Sequence, residues 1–477
     1  MARTPSPPRH SRDPEAAGCE VAWSLDAKMS TTPSEEAETQ LQLVEGPHRP
    51  RHTIASTLHI VISTTAVLLR IPFHLLYHYV FFRHRSPLFQ EVGRSPFVEA
   101  GHILVRHLFL HCYLPPSRPV FRLGFPSKWV KDVEFAGVRA SWIAPPDRPA
   151  RTEDEVVLFW LNGGGFIHDV GGMSRLAYIK LAKMLNKRGI KFSILHLHYR
   201  LAPEYIYPSQ LIETLAAYKY LVNVVGISES KICIGGDSAG ANLVTAFLLH
   251  LARPNPRIQV NAFGPTPAKP ASALLISPFI DLVSTAPSRS PTLHTDIIDD
   301  GGVFHGALSY VGATRPLPAD LEGWRHAPSW NPLDWFVGRP SCDSPPPAFV
   351  EAVLAVDKAE EEREGAELFA SPYVNPNPRV VPDLNWYKEA LPGNGRTIVS
   401  WGGQEIFADD IVAFVEALKQ AGVNPAELVK PLASHDWALF DAIVPFASRD
   451  KNGGEQARPD WGLGKIANFL AAQVKAE

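Results

Sequence analysis

"CIGGDSAGANL", residues 233–243, sets a serine between glycines, after an apolar run and before a helical pattern. A serine there serves either as a small polar residue in a tight turn or as a nucleophile raised on a sharp strand-to-helix bend. The choice depends on whether the rest of the chain supplies a base, an orienting acid and a set of oxyanion donors. Working outward, apolar runs of strand length alternate with helix-like segments. "VVLFWL" precedes a helix over 174–188, "FSILHLHY" one over 209–224, and "KICIGG" one over 239–251. "ALLISPF" follows, then "RTIVSW" with a helix over 409–421, and "AELVKP" with one over 461–474. Ahead of them, "VKDVEFAGVRASWIAP" alternates and turns at Gly137, as an antiparallel hairpin does. Ser174 and Ser209 are suited to capping helix N-termini, and Gly189 and Gly422 follow the expected last turns. The alternation predicts an α/β fold: a mostly parallel central sheet with helices on both faces. In such sheets ligands sit beyond the carboxyl ends of the strands, so the loops after the strands are where chemistry is expected.

The chain of 477 residues exceeds the ~250–300 at which one hydrophobic core stops growing, so a large decorated domain or two units are expected. Its 46 Lys and Arg balance 49 Asp and Glu, and without a long basic run nothing points to nucleic acid. Cys19, Cys112, Cys233 and Cys342 are scattered without a CxxC pair, which argues against a zinc site and a disulfide framework. No metal or organic cofactor is implied. The 44 prolines concentrate in the N-terminal segment and in insertions such as "FGPTPAKPAS" and "CDSPPPAF". Three regions follow: a disordered tail over 1–50, an apolar anchor or cap region over 51–128, and a catalytic domain over 129–477 with insertions near 253–272 and 285–345. The apolar stretch at 53–82 starts too far from Met1 for an ordinary cleaved signal peptide. It is read as membrane-associating, with Arg70 and Pro72 interrupting it; the alternative is an amphipathic or buried helix packed on the domain as part of a lid. Arg49, Arg51, Arg83 and Arg85 flank both ends and fix no orientation.

Three more loops complete the chemistry. "WLNGGGFIHD" (160–169) offers backbone N–H groups unobstructed by side chains, as an oxyanion requires, and lacks the GK[ST] ending of a phosphate loop. Gly164 and Gly165 would donate together with Ala239, which begins the helix after Ser238; Asn162, Gly163 and Asp237 would support the loop. A serine hydroxyl requires an adjacent base. Of 18 histidines, His196 and His198 fall within a strand and read as packing residues, while His294, His305 and His326 fall in the irregular insertion. His435, in "PLASHDWALF", lies after the last strand and before the final helix, where the order Ser, acid, His places the base. The orienting acid comes from "SWGGQEIFADD" (400–410): Glu405 lies nearest the strand end, whereas Asp409, the alternative, and Asp410 suit the start of the next helix.

The chain resembles the hormone-sensitive-lipase-like branch of the α/β-hydrolase superfamily, in particular fungal steryl acetyl hydrolases and related serine esterases. The likeness rests on "NGGGF", "HYRLAPEYIYP", "GGDSAGANL", "LLISPFIDL", "GGQEIFADD" and "SHDW", in that order, over roughly residues 129–475. It implies an α/β-hydrolase fold with a Ser238–Glu405–His435 triad, an oxyanion hole of Gly164, Gly165 and Ala239, and a lid from the N-terminal region and insertions. It further implies short acyl groups, acetyl above all, on a hydrophobic alcohol such as a sterol or a secondary metabolite. Asn162 departs from the family's HGGG histidine, and Glu405 from its commoner aspartate. The rivals are a non-catalytic ligand-binding protein on the same scaffold and a serine amidase or peptidase. The expected location is membrane-associated, at the endoplasmic reticulum, with a cytoplasmic one as the alternative.

Overall fold

A computed structural model describes residues 41–46, 128–148, 151–289, 296–298, 300–313, 362–443, 455–458 and 460–474, with a few isolated positions besides. The hairpin expected around Gly137 is formed by β1 (Val130–Phe135) and β2 (Val138–Ile143). Six further strands follow: β3 (Val156–Leu161), β4 (Phe192–Leu197), β5 (Ile232–Asp237), β6 (Ser272–Ile276), β7 (Thr397–Gly402) and β8 (Ala426–Lys430). The helices are α1 (Gly171–Lys187), α2 (Ser209–Lys219), α3 (Ala239–Ala252), α4 (Asp300–Tyr310), α5 (Asn385–Ala390), α6 (Ala408–Gln420), α7 (Trp437–Ile443) and α8 (Trp461–Val474). The sheet order is β1-β2-β4-β3-β5-β6-β7-β8. Pairing is antiparallel at the β1–β2 and β2–β4 contacts and parallel from β4 to β8. This is the α/β-hydrolase architecture.

The strand sequences explain the two-faced burial. Along β3, Val157, Phe159 and Leu161 enter one apolar cluster with side chains of α2, α3 and α6, while Val156, Leu158 and Trp160 enter a second with α1, α7 and α8. The period-2 alternation of a strand sends successive side chains to opposite faces, so a continuous apolar run is what a sheet covered on both sides demands. Because β4 and β5 flank β3 on opposite sides, the chain reverses its winding direction between β3 and β5. Ligand sites form outside the strand ends at such a reversal, and the loops carrying Gly164 and Ser238 leave from those two strands.

Some local details differ from the sequence reading. α1 begins at Gly171 with Val170 before it, so Ser174 lies inside the first turns and its amide bonds Val170 O at 3.2 Å. The weak helix propensity of Gly171 and Gly172 hides that start. Ser209 is the first residue of α2 and makes no capping bond within it; its hydroxyl instead accepts from Val44 N (2.8 Å) and donates to Val44 O (3.0 Å). Residues 41–46, within the stretch expected to be a tail, therefore run along the body, with an antiparallel bridge between Glu45 and Tyr205 and with Leu41 and Leu43 against the core. Gly189 and Gly422 adopt φ of +84° and +82° just beyond α1 and α6, as helix-terminating glycines do. The insertion at 253–272 is tied to α2 and the turn after it: Asn223 donates to the Phe263 and Pro265 carbonyls and Tyr218 to that of Ala268. The apolar stretch at 53–82, apart from isolated positions, and most of the insertion at 285–345 lie outside the described residues. Among the described residues no helix is long and apolar enough to cross a membrane.

Candidate active site

Ser238 sits at φ +52°, ψ −121°, a backbone conformation that a residue with a side chain rarely adopts and that costs of order 1–3 kcal/mol. The surrounding glycines enforce it. A Cβ on Gly236 would lie 2.6 Å from the Gly240 carbonyl carbon, and one on Gly240 would lie 2.1 Å from Leu161 O. The α3 helix can therefore press against the end of β3 only if both positions lack side chains. Ser238 N donates to Ile276 O at 2.9 Å, while Ser238 O accepts from Ala241, Asn242 and Phe279 N–H groups at 3.1 Å each. These bonds fix the bend from both sides, and Ala239 opens the helix, where backbone N–H groups have no intrahelical acceptor and the dipole is positive.

The glycine loop after β3 closes beside this bend. Gly164 and Gly165 have φ of +111° and +58°. A Cβ on Gly164 would meet His168 O at 2.3 Å, and one on Gly163 would meet an Asp237 carboxylate oxygen at 2.6 Å. Asn162 holds the loop from below. Its Nδ2 donates to Gly163 O (2.8 Å), its carbonyl accepts from Tyr199 Oη (2.6 Å), and its Oδ1 accepts from His196 Nε2 at 3.1 Å. His196, expected to be a packing residue, is thus the partner of the asparagine that stands where the resembling family has histidine. The signal lay in the pairing of parallel strands, which sets Trp160 opposite His196. His198 packs edge-on to His196 and bonds the Ser141 hydroxyl at 2.6 Å.

On the other side of the cavity, His435 is 3 % exposed and packs edge-on against the Phe407 ring, 5.0 Å between centroids. Its Nδ1 lies 3.9 Å from Glu405 Oε1, and its Nε2 lies 3.3 Å from Asp436 Oδ2. The other Glu405 oxygen accepts from Ser277 Oγ (2.8 Å) and Gly402 N (2.9 Å). Ser277 Oγ also accepts from Asp436 N at 3.0 Å, so one hydroxyl joins the acid and the histidine loop. Asp409 is exposed in the first turn of α6, and its carboxylate accepts from Ser288 N (2.8 Å); it faces the insertion, not the imidazole. Of the two acids expected from the loop after β7, Glu405 and not Asp409 lies beside His435 Nδ1. His305 lies exposed on α4, and His294 and His326 fall outside the described residues.

Ser238, His435, Gly164, Gly165, Asp237 and Asp436 line one cavity of about 50 Å³, whose remaining wall includes Val170, Ile297, Ile298, Val303 and Leu439. Burial disfavours the charged form of His435, but the Asp436 carboxylate foremost, then Glu405 and Asp296, outweigh it and hold the imidazole up at about 9. Burial pushes the Glu405 carboxyl up, opposed by His435. It also pushes Asp237 up to about 6, opposed by the Gly163 amide and by His435, and raises Asp436 well above the usual carboxylate range. Asp436 is absent from the sequence reading although it sits in "SHDW"; its φ of +53° turns its side chain back toward the ring it follows. Among the described residues no cluster of His, Cys, Asp and Glu is placed to hold a metal ion. A strained serine that shares one cavity with the glycine loop and with an imidazole backed by a carboxylate has the groups that acyl transfer requires.

A family model of the alpha/beta hydrolase fold matches residues 158–333. The sequence is 29 % identical over 221 residues to an esterase of Acinetobacter venetianus, covering 44 % of this chain and 63 % of that one. It is 29 % identical over 178 residues to an acetyl-hydrolase of Streptomyces hygroscopicus, covering 37 % and 52 % respectively. The match thus spans less than two thirds of either relative. A solved esterase from the bacterial hormone-sensitive lipase family superposes with a TM-score of 0.51 at 22 % identity, covering 80 % of this chain and 98 % of the other, a likeness of fold. With the sheet order and the serine bend, these matches support an α/β-hydrolase fold and a likeness to the hormone-sensitive-lipase-like branch of that superfamily.

Proposed function

We propose that the protein is a serine carboxylesterase acting through an acyl-enzyme. His435 takes the proton of Ser238 as the hydroxyl attacks the ester carbonyl, and the N–H groups of Gly164, Gly165 and Ala239 receive the oxyanion. The imidazolium, stabilised by Glu405, protonates the departing alcohol; the same imidazole then activates water to release the acid. The observation that carries this reading is the opening of Ser238, His435, Gly164 and Gly165 onto one cavity, with Glu405 behind the imidazole. Asn162, Gly163 and Asp237 support the donor loop.

The small, largely apolar cavity and the acetyl-hydrolase among the relatives favour a short acyl group, acetyl first, on a hydrophobic alcohol such as a sterol or a secondary metabolite. Such substrates partition into membranes, and the apolar stretch at 53–82 would bring the enzyme to them, at the endoplasmic reticulum in this reading. Alkaline carbonate extraction tests that part; complete release into the supernatant refutes a spanning anchor. The activity itself is tested with p-nitrophenyl acetate, butyrate and octanoate on the purified protein and on Ser238→Ala. The reading expects the acetate to be turned over fastest and the variant to be inert. Equal rates from both forms refute it, and faster cleavage of a matched amide than of the ester would make the protein an amidase.

A further inference from the structure

The histidine and acid loops are joined by a group that belongs to neither. Asp296 lies in the insertion between β6 and α4, with no exposed surface. One of its carboxylate oxygens accepts from His435 N at 2.8 Å and from Ile297 N at 2.7 Å; the other accepts from Ile406 N at 2.8 Å. Ile406 directly follows Glu405. The next two residues of the insertion, Ile297 and Ile298, form part of the cavity wall that faces Ser238.

We propose that Asp296 is the positioning residue that sets Glu405 and His435 relative to one another and ties both to the wall of the acyl pocket. The inference rests on the triad reading above. An ionised carboxylate accepts from backbone N–H groups more strongly than a neutral acceptor does. Each of its oxygens reaches a different loop, so neither loop can shift without breaking a bond to a buried charge. Because the adjacent backbone supplies the two isoleucines, an acyl group that displaces that wall acts on the same carboxylate. Acyl groups that fit the wall leave the imidazole in place, and larger ones pull on it. The spacing of Nδ1 and Glu405, 3.9 Å, is the distance this link controls.

The test compares wild type with Asp296→Asn, which preserves shape but replaces one acceptor oxygen by a donor and removes the charge. Expected is a fall in kcat of about 10- to 100-fold with little change in KM, the scale of a small misplacement of catalytic groups. The acid limb of the kcat/KM profile should also move to lower pH. Asp296 is one of the carboxylates that hold the His435 imidazolium, and the others facing it, Glu405, Asp436 and Asp237, remain. A merely structural defect lowers the amount of folded enzyme without moving that limb. Hydrogen–deuterium exchange should show faster uptake in the peptides containing Ile406 and His435, and unchanged uptake in β5. If Asp296→Asn does not fold, exchange in the wild type decides: protection of both peptides supports the link, and exchange at the rate of exposed loops overturns it. Unchanged kcat and an unmoved profile in a folded variant also overturn it. A fluorophosphonate separates the two hypotheses: a wild type that fails to react at Ser238 defeats the triad reading itself, whereas a reactive wild type with an indifferent Asp296→Asn defeats only this proposal.

Discussion

The nucleophile side and the histidine side of the cavity are built by different means. Around Ser238 the backbone does the work: Gly236, Gly240 and Gly164 leave no room for a Cβ, and strand ends and a helix N-terminus hold the bend. Around His435 the restraints are buried side chains reaching across the sequence, with Ser277, Glu405, Asp296 and Asp436 supplying contacts to loops that are far apart in the chain. The first construction is steric and rigid. The second is electrostatic, so it responds to pH and to the shape of the pocket wall.

The largest effect should come from the centre of the rigid side. Ser238→Ala is expected to lower kcat by about 10⁶-fold, as removal of an activated nucleophile does in comparable triads, with the fold retained by circular dichroism. Across the cavity, Glu405→Gln should cost about 10²- to 10⁴-fold in kcat by leaving the imidazolium without its orienting charge. A Glu405→Gln enzyme as slow as Asp409→Asn, which should stay within about twofold of wild type, would move the acid elsewhere. Gly240→Ala inserts a methyl where Leu161 O already lies 2.1 Å from an ideal Cβ; thermal unfolding should report a loss of about 1–3 kcal/mol. An unchanged melting temperature would mean that the bend is not held by close packing. His196→Ala removes the bond to Asn162 Oδ1, and a fall in kcat of about 10-fold is expected, smaller than the ~10²- to 10³-fold for deleting an oxyanion donor outright.

The pH response sharpens the contrast. His435 accepts a proton only when neutral, and neighbouring carboxylates, Asp436 first, raise its pKa to about 9 against the effect of burial. Activity should therefore rise with pH through that region. Asp436→Asn removes the largest of those charges, so the imidazole gives up its proton more easily and the acid limb of kcat/KM moves to lower pH. A limb that stays put, or moves up, would show that Asp436 does not govern the imidazole. No matching shift is expected from Gly240→Ala, which adds a methyl group and removes no charge.

The same division decides what could be read from the sequence. The strands and the serine bend were legible because their causes are local: an apolar run, two glycines flanking a serine, a helical period after it. The β3 to β8 segments lie where the alternation predicts, and Gly189 and Gly422 terminate their helices as their lack of Cβ suggests. Ser174 and Ser209 misled as caps because a serine before an apolar pattern does not reveal whether the helix has already begun or whether residues 41–46 will claim the hydroxyl. His196 read as packing because its partner, Asn162, becomes a neighbour only through strand pairing. Asp296 carried no signal, being 139 residues from one amide it accepts from and 110 from another. Long-range carboxylate contacts have no periodicity or spacing to give them away.

Whether His435 activates Ser238 is decided by mass spectrometry of the protein after reaction with a fluorophosphonate, run in parallel on wild type and His435→Ala. One adduct per chain is expected, at Ser238, formed rapidly in the wild type and far more slowly without the imidazole. Modification at another serine, or equal rates in the two proteins, would contradict it.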